Sequence, residues 1–350
     1  MRIKLLDYFP DLYAKNFPDF FSKSIEKEKI ATCNECIMLK PENAIISQNY
    51  YSSKSKCCTF SPEIPNYLIG LILSDKSAYF ENGRNRIIKI INSGIGVSPE
   101  GIKPSRLYNL KYQKGKIDAF GKSESLKCPF YDEKLDTCSV WNGRSAICTT
   151  FFCKYNNGIC GEKFWRNIQK YLQETEKHLS HYAMLKLDAI LDINTKIPDD
   201  NFKLFEIDET RPPDYVNIWG KWLDKEKEFY IKSHKIVSSL SKSDFQKIMG
   251  ISNDFLLHKI NMAKFKMENP KLPEKLRLNT NINISPVANN EFIISSPYST
   301  FKVSGAMIEI LALFDGKTKT TDILKNLSLK DILVENELLV SYYQNQILIL

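Results

Sequence analysis

Histidine is scarce, with 4 in 350 residues, and neither an HExxH run nor a P-loop occurs anywhere in the chain. The first absence excludes the two-histidine helix of zinc metalloproteases, and the second excludes the backbone cradle that NTPases build around phosphates. No apolar run approaches the roughly 18 residues that a membrane-spanning helix needs, so no membrane partner is expected. The opening, Met1-Arg2-Ile3-Lys4-Leu5-Leu6-Asp7-Tyr8-Phe9-Pro10, lacks the continuous apolar stretch of a secretory signal. A cytoplasmic location is therefore expected. Glycine is also sparse, and Gly94-Ile95-Gly96 has no third glycine at fingerprint spacing; Pro99 and Pro104 follow instead. A plain turn is expected there, and no glycine loop is available to hold S-adenosylmethionine.

What the chain does have is sulfur. Eight of its nine cysteines fall into two bursts: Cys33, Cys36, Cys57 and Cys58, then Cys128, Cys138, Cys148 and Cys153. Thiolates gathered in this way suit a soft metal ion or an iron–sulfur cluster. Cys160 lies past the second burst with no partner in spacing. A disulfide framework competes with this reading, but the odd count and the missing signal argue against it. Isolated cysteines are often small core hydrophobes, yet scattered core residues seldom form a C-x2-C run plus an adjacent pair.

Length and composition permit two or three domains with ample cores: 350 residues, 43% hydrophobic and 12% aromatic. The net charge of +8 is spread along the chain rather than gathered in a patch, which argues against nucleic acid as a partner. Asn66 to Leu73 is an apolar stretch expected as a buried helix. Ser77 to Ile91 is a second helix, interrupted near Asn82-Gly83. Phe164 to Leu187 is strongly helical and places His178 and His181 three apart on one face. Its Glu174 and Glu176 look like solvated charge. A polar crossover runs from Asp188 to Pro213, and Trp219 to Met267 reads as further helices.

After the Pro270-Lys271-Leu272-Pro273 linker, Glu291–Ile294 and Ser299–Val303 read as strands, and Gly305–Phe314 as a helix closed by Asp315-Gly316. Thr320 or Thr321 is expected to cap the next helix. A third helix over Leu333–Tyr343 precedes an apolar tail, so the order suggests a winged helix. The expected fold class is α+β, mainly helical. It has a cysteine-rich metal-binding domain over 1–160, a helical region over 161–270 and a winged-helix module over 284–350.

Two resemblances add to this reading. The segment from Ser304 through Lys317-Thr318 to Leu324, with its Asp-Gly turn, resembles the PqqD-like peptide-recognition winged helix. That resemblance implies a peptide or protein partner, taken up by adding a strand to a sheet edge. Cys33-x2-Cys36, Cys57-Cys58 and the run from Cys128-Pro129-Phe130-Tyr131 to Cys153 resemble the YkgJ-like CxxCxxCC cysteine-cluster family. Its members are described as zinc- or iron-chelating, and flagellin lysine N-methylases belong to the same broad group. Twenty residues separate Cys36 from Cys57, where the family keeps these cysteines close together, and Ser145 stands where the family commonly has proline.

The residues and the resemblance leave two expectations standing. One is a peptide- or protein-modifying enzyme, lysine N-methylase-like, with a [4Fe-4S] cluster favoured over zinc. The other is a non-enzymatic scaffold stapled by structural zinc. Lys56, Lys127, Arg144 and Lys154 lie near ligands in sequence, where they can offset thiolate charge. No catalytic residue is assigned by either route.

Overall fold

A computed structural model describes residues 2–28, 33, 36, 38–39, 50–189, 211–287 and 289–350, without the side chains of 116–118. The chain is mainly helical, with small antiparallel sheets. Among the described residues, no helix is long and apolar enough to cross a membrane. Two compact units divide the chain. The first comprises residues 1–27, 31–151 and 169–254; the second comprises 28–30, 152–168 and 255–350.

In the first unit, β1 (Arg2–Lys4) pairs with β2 (Ser24–Glu26) around an aromatic-rich lead. Between them Phe9, Tyr13, Phe17 and Phe21 pack on one another, with Tyr171 edge-on and Phe245 tilted against Phe17. β3 (Ile64–Pro65) leads directly into α1 (Asn66–Ser74), where Tyr67, Leu68, Ile69 and Ile72 are fully buried. A side chain at Gly70 would meet the Tyr230 carbonyl at 1.9 Å, so glycine is what lets α1 sit against the helix that carries Tyr230.

α2 (Glu81–Ser93) runs unbroken through Asn82-Gly83, where the sequence suggests an interruption. Gly83 lies against the Ser139 carbonyl, so this glycine serves a close approach rather than a break. Gly94 ends the helix at φ 70°. β4 (Val97–Ser98) and β5 (Gly101–Ile102) then make a hairpin, and β3 pairs on the far edge of β5. The Gly-x-Gly segment is therefore the turn into a hairpin.

α3 (Arg106–Ala119) leads to a second hairpin, β6 (Tyr131–Asp132) with β7 (Thr137–Cys138). The short α4 (Ala146–Thr149) follows. The long α5 (Gly158–Lys186) gives its first residues to the second unit and the remainder to the first. Most of the polar crossover lies outside the described residues. α6 (Tyr215–Trp219), α7 (Glu226–Ser238), α8 (Lys242–Met249) and α9 (Ile251–Glu268) complete the helical middle. α8 opens with a capping box in which Ser241 and Asp244 satisfy each other's backbone amides.

The second unit carries two three-stranded sheets. One is β9 (Asn283–Pro286), β10 (Glu291–Ser295) and β11 (Thr300–Ser304), with β10 central. The other has β8 (Lys275–Leu278) between β12 (Asp315–Lys319) and β13 (Leu348–Ile349). Three helices accompany them: α10 (Gly305–Ala312), α11 (Thr320–Ser328) and α12 (Asn336–Gln344). Leu276, Ile294, Leu311, Leu339, Ile347 and Leu348 are fully buried at its centre.

Two local expectations change here. Asp315-Gly316 opens a strand instead of closing a helix, because its register is set by pairing to β8. Thr320 lies inside α11 and donates its hydroxyl to the Pro273 carbonyl, so it anchors the helix to the preceding segment and is not its cap.

Candidate functional site

Three distant stretches of the first unit meet around sulfur. The turn at 52–58 is bound to the segment after α3: Cys128 N donates to Cys58 O at 2.7 Å, and Gly121 N donates to the Thr59 hydroxyl at 2.6 Å. The β6–β7 hairpin sets Cys138 opposite Tyr131, and Ser139 N closes on Phe130 O. Cys148 sits in α4, one turn past the Ser145 carbonyl that its amide meets at 3.0 Å. The fully buried Lys56 donates to Cys33 O at 2.7 Å and pairs with Asp136, which also accepts from the Tyr131 hydroxyl. These bonds join residues far apart in the sequence into one small volume.

Electrostatics report the same convergence, because charges act on one another strongly only within about a Debye length, ~10 Å. Burial pushes the Cys33 thiol up to about 11, Cys57 and Cys138 push it the same way, and Arg144 and Lys56 pull it down. Cys58 and Cys57 share a hydrogen bond that lowers Cys57 and raises Cys58; Cys36 opposes the ionisation of Cys57. Burial pushes Cys128 up to about 12, with Cys138 and Cys57 adding to it. Cys138 and Cys148 are likewise raised, burial first, and Cys148 also feels Cys128, Cys138 and Cys57.

Seven of the eight sequence-predicted cysteines thus influence one another inside the first unit. The eighth, Cys153, belongs to the second unit, where it lies beside Lys154. All nine cysteines carry a thiol.

The cations expected to offset thiolate charge divide clearly. Arg144 stacks on Trp141 at 3.5 Å from the ring centroid. It donates to Trp141 O at 3.0 Å and Cys148 O at 3.1 Å, and it favours ionisation of Cys33, Cys57, Cys138 and Cys148. Lys56 acts on Cys33. Lys127 instead pairs with Glu133 at 2.6 Å.

The donor set, soft thiols that are half-buried apart from the buried Cys128, with two fixed cations beside them, fits a thiolate-bound metal in its chemistry. Among the described residues, no group of three or more His, Cys, Asp or Glu side chains stands in metal-holding geometry.

Sequence reasoning missed Glu176. Glu174 does pair with His178, at 3.7 Å, as an exposed helix charge would. Glu176 turns the other way, and its Oε1 accepts the Ala146 amide at 2.6 Å, two residues before Cys148. The signal was its spacing: it stands four residues after Leu172 and three before Leu179, both buried, on the inward stripe of α5. Burial pushes its carboxyl up to about 8, and Glu63 adds to that. His178 and His181 take separate partners, since His181 lies 3.5 Å from Glu100.

Comparison with protein-family models, with curated proteins and with solved structures finds no match for this chain.

Proposed function

We propose that the first unit holds a thiolate-bound metal centre, an iron–sulfur cluster in preference to zinc, and that the protein acts in peptide or protein modification, in the manner of a lysine N-methylase. The observation that carries the reading is the mutual influence of seven thiols drawn from three separated stretches, with Arg144 and Lys56 biasing them toward the thiolate. Cys33, Cys36, Cys57, Cys58, Cys128, Cys138 and Cys148 supply the sulfur. Seven donors exceed the four that one zinc ion or one iron–sulfur cluster takes, and they can serve a cluster with supporting thiols around it.

Such a cluster supplies electron transfer when bound; zinc supplies a fixed charge and folding energy. The protein's own contribution is to shield the sulfurs partly from water, to hold Cys148 through Arg144, and to lower the cost of thiolate charge. The resemblance to the cysteine-cluster family supports the modification reading. The order of strands and helices from β8 to β13 supports a winged-helix module that takes a peptide along a sheet edge.

A second reading keeps the metal and drops the enzyme. The bonds from Cys128 N to Cys58 O and from Lys56 Nζ to Cys33 O tie the sulfur-bearing segments to one another, which is where a structural staple would act.

Anaerobic purification followed by elemental analysis and visible and electron paramagnetic spectra separates the two. Iron with acid-labile sulfide and a reducible spectrum is the expected result. Stoichiometric zinc in a colourless protein selects the staple, and a chain that retains neither metal overturns the centre.

A further inference from the structure

α9 is one uninterrupted helix whose two faces differ. Asn253 and Ile260 are buried, and Asn253 Oδ1 accepts the Tyr171 hydroxyl at 2.8 Å. The opposite face is open to solvent and yet apolar: Ile251, Phe255, Met262 and Phe265 are 88%, 57%, 46% and 60% exposed. Single exposed apolar residues are ordinary, whereas a continuous stripe of them marks a contact surface.

The spacing and the flanks of the stripe say what covers it. Together with the exposed His258, these residues recur at intervals of four, three, four and three, which is a heptad seam with Phe255 and Met262 at a and Ile251, His258 and Phe265 at d. Lys259 and Lys266 then fall at e, and Asp254, Asn261 and Glu268 at g. Lys264 takes the Glu268 carboxylate within the helix. Among the described residues Asp254, Lys259 and Lys266 have no ion-pair partner, and Lys259 Nζ lies over the Phe255 ring, 4.2 Å from its centroid.

Opposite charges on the two flanks decide the partner. A helix that lies on an anionic membrane has a polar face rich in Lys and Arg, and the acids of one flank oppose that. An antiparallel pair sets each flank against its own kind, lysine against lysine. A parallel pair sets g against the following e of the other helix, so Asp254 meets Lys259 of the partner subunit, twice by symmetry. His258 is then the lone polar position of the seam, where such a residue fixes register at some cost in affinity.

We infer that the solvent-facing side of α9 is a self-association surface, on which a second copy of this chain packs its own α9 in parallel, joined through Phe255, Met262 and Phe265 and oriented by the two Asp254–Lys259 pairs. A helix of 18 residues offers a short seam, so the dimer is a weak one that forms at micromolar or higher chain concentration. The inference is independent of the metal reading, since α9 contains no cysteine.

The test is sedimentation of the full chain in reducing buffer, from low micromolar to several hundred micromolar. A concentration-dependent equilibrium between monomer and dimer is expected, and a monomer throughout overturns the surface. Phe265→Glu and Met262→Glu change side chains that face solvent, so each should leave the unfolding midpoint of the dilute protein unchanged while weakening the dimer at least about tenfold. Unaltered affinity in both variants would put the contact elsewhere and overturn the inference.

Asp254→Lys and Lys259→Asp should each weaken the dimer several-fold alone, because like charges then face one another twice. Mixing the two variants should restore it, since the mixed dimer sets opposite charges together at both places. A mixture no tighter than either variant overturns the parallel arrangement. Vesicles of phosphatidylglycerol that bind the parent chain as a monomer, and do not bind Phe265→Glu, would give the face to a membrane and overturn self-association.

Discussion

Glu28 in the second unit and Glu176 in the first are both drawn out of bulk water to a degree, and they are treated differently. Glu28 in the second unit is 4% exposed, and both its oxygens are answered: Trp165 Nε1 donates to one and Asn156 N to the other, each at 2.8 Å. Glu176 in the first unit is half-buried and accepts one backbone amide, that of Ala146. The same residue type therefore does two jobs. A buried acid with its donors in place holds structure together. A half-buried acid with a single donor carries a desolvation penalty, which pushes its carboxyl up to about 8.

The contrast extends to the units around them. The second unit's core is built from aliphatic and aromatic side chains such as Leu276, Leu311, Phe314 and Leu339. The first unit buries Lys56, Asp132 and Ser145, along with thiols held in their neutral form by burial.

The largest test of this contrast exchanges one kind of damage for the other. Leu311→Ala should cost about 2–5 kcal/mol of stability by leaving a cavity, with metal per chain unchanged. Cys148→Ala should strip metal from the protein and lower its unfolding midpoint together. Metal analysis beside thermal denaturation reads both, and loss of metal in the leucine variant would erase the distinction between the units.

Next in size is Glu28→Gln, which replaces one acceptor with a donor facing the Asn156 amide. It should destabilise by about 1–3 kcal/mol. Urea denaturation near neutral pH measures it, and an unaffected midpoint would show that Glu28 is not structural.

Glu176→Gln should act with the opposite sign. Its folded-state carboxyl lies near 8, well above the ordinary glutamate range, so the folded chain holds this proton more tightly than the unfolded chain does. The penalty for ionising it is absent below the ordinary value, grows as pH rises, and is complete above about 8. The variant should therefore match the parent near pH ~4 and exceed it by ~2 kcal/mol near pH ~9. Parallel pH–stability curves with no gap at the alkaline end would show that the carboxyl is solvated.

The smallest comparison is inside the second unit. Thr320→Ala removes the bond to Pro273 O and should cost about 1 kcal/mol. Thr321→Ala, at an exposed neighbour, should change almost nothing.

Much of the local structure was legible. The apolar run at Asn66–Leu73 became α1, and the strands at Glu291 and Thr300 lie where alternation and the intervening turn residues put them. The cysteine bursts marked the candidate site because thiol clusters are rare enough to carry meaning by spacing alone. The errors share one cause. Gly83, Asp315-Gly316 and Thr320 each carry a local signal, for a break, a turn and a cap, that a partner distant in sequence overrides: the Ser139 carbonyl, β8 and Pro273.

The sequence by itself determined the helical stretches, the sulfur content and the residues able to carry charge, because periodicity and side-chain chemistry are local properties. Tertiary structure alone decided that Arg144 would lie over Trp141 against the Cys148 carbonyl while Lys127 took Glu133. It also decided that Glu176 would turn inward to the Ala146 amide. Burial and pairing are relations between segments far apart in the chain, and no window of sequence contains both partners.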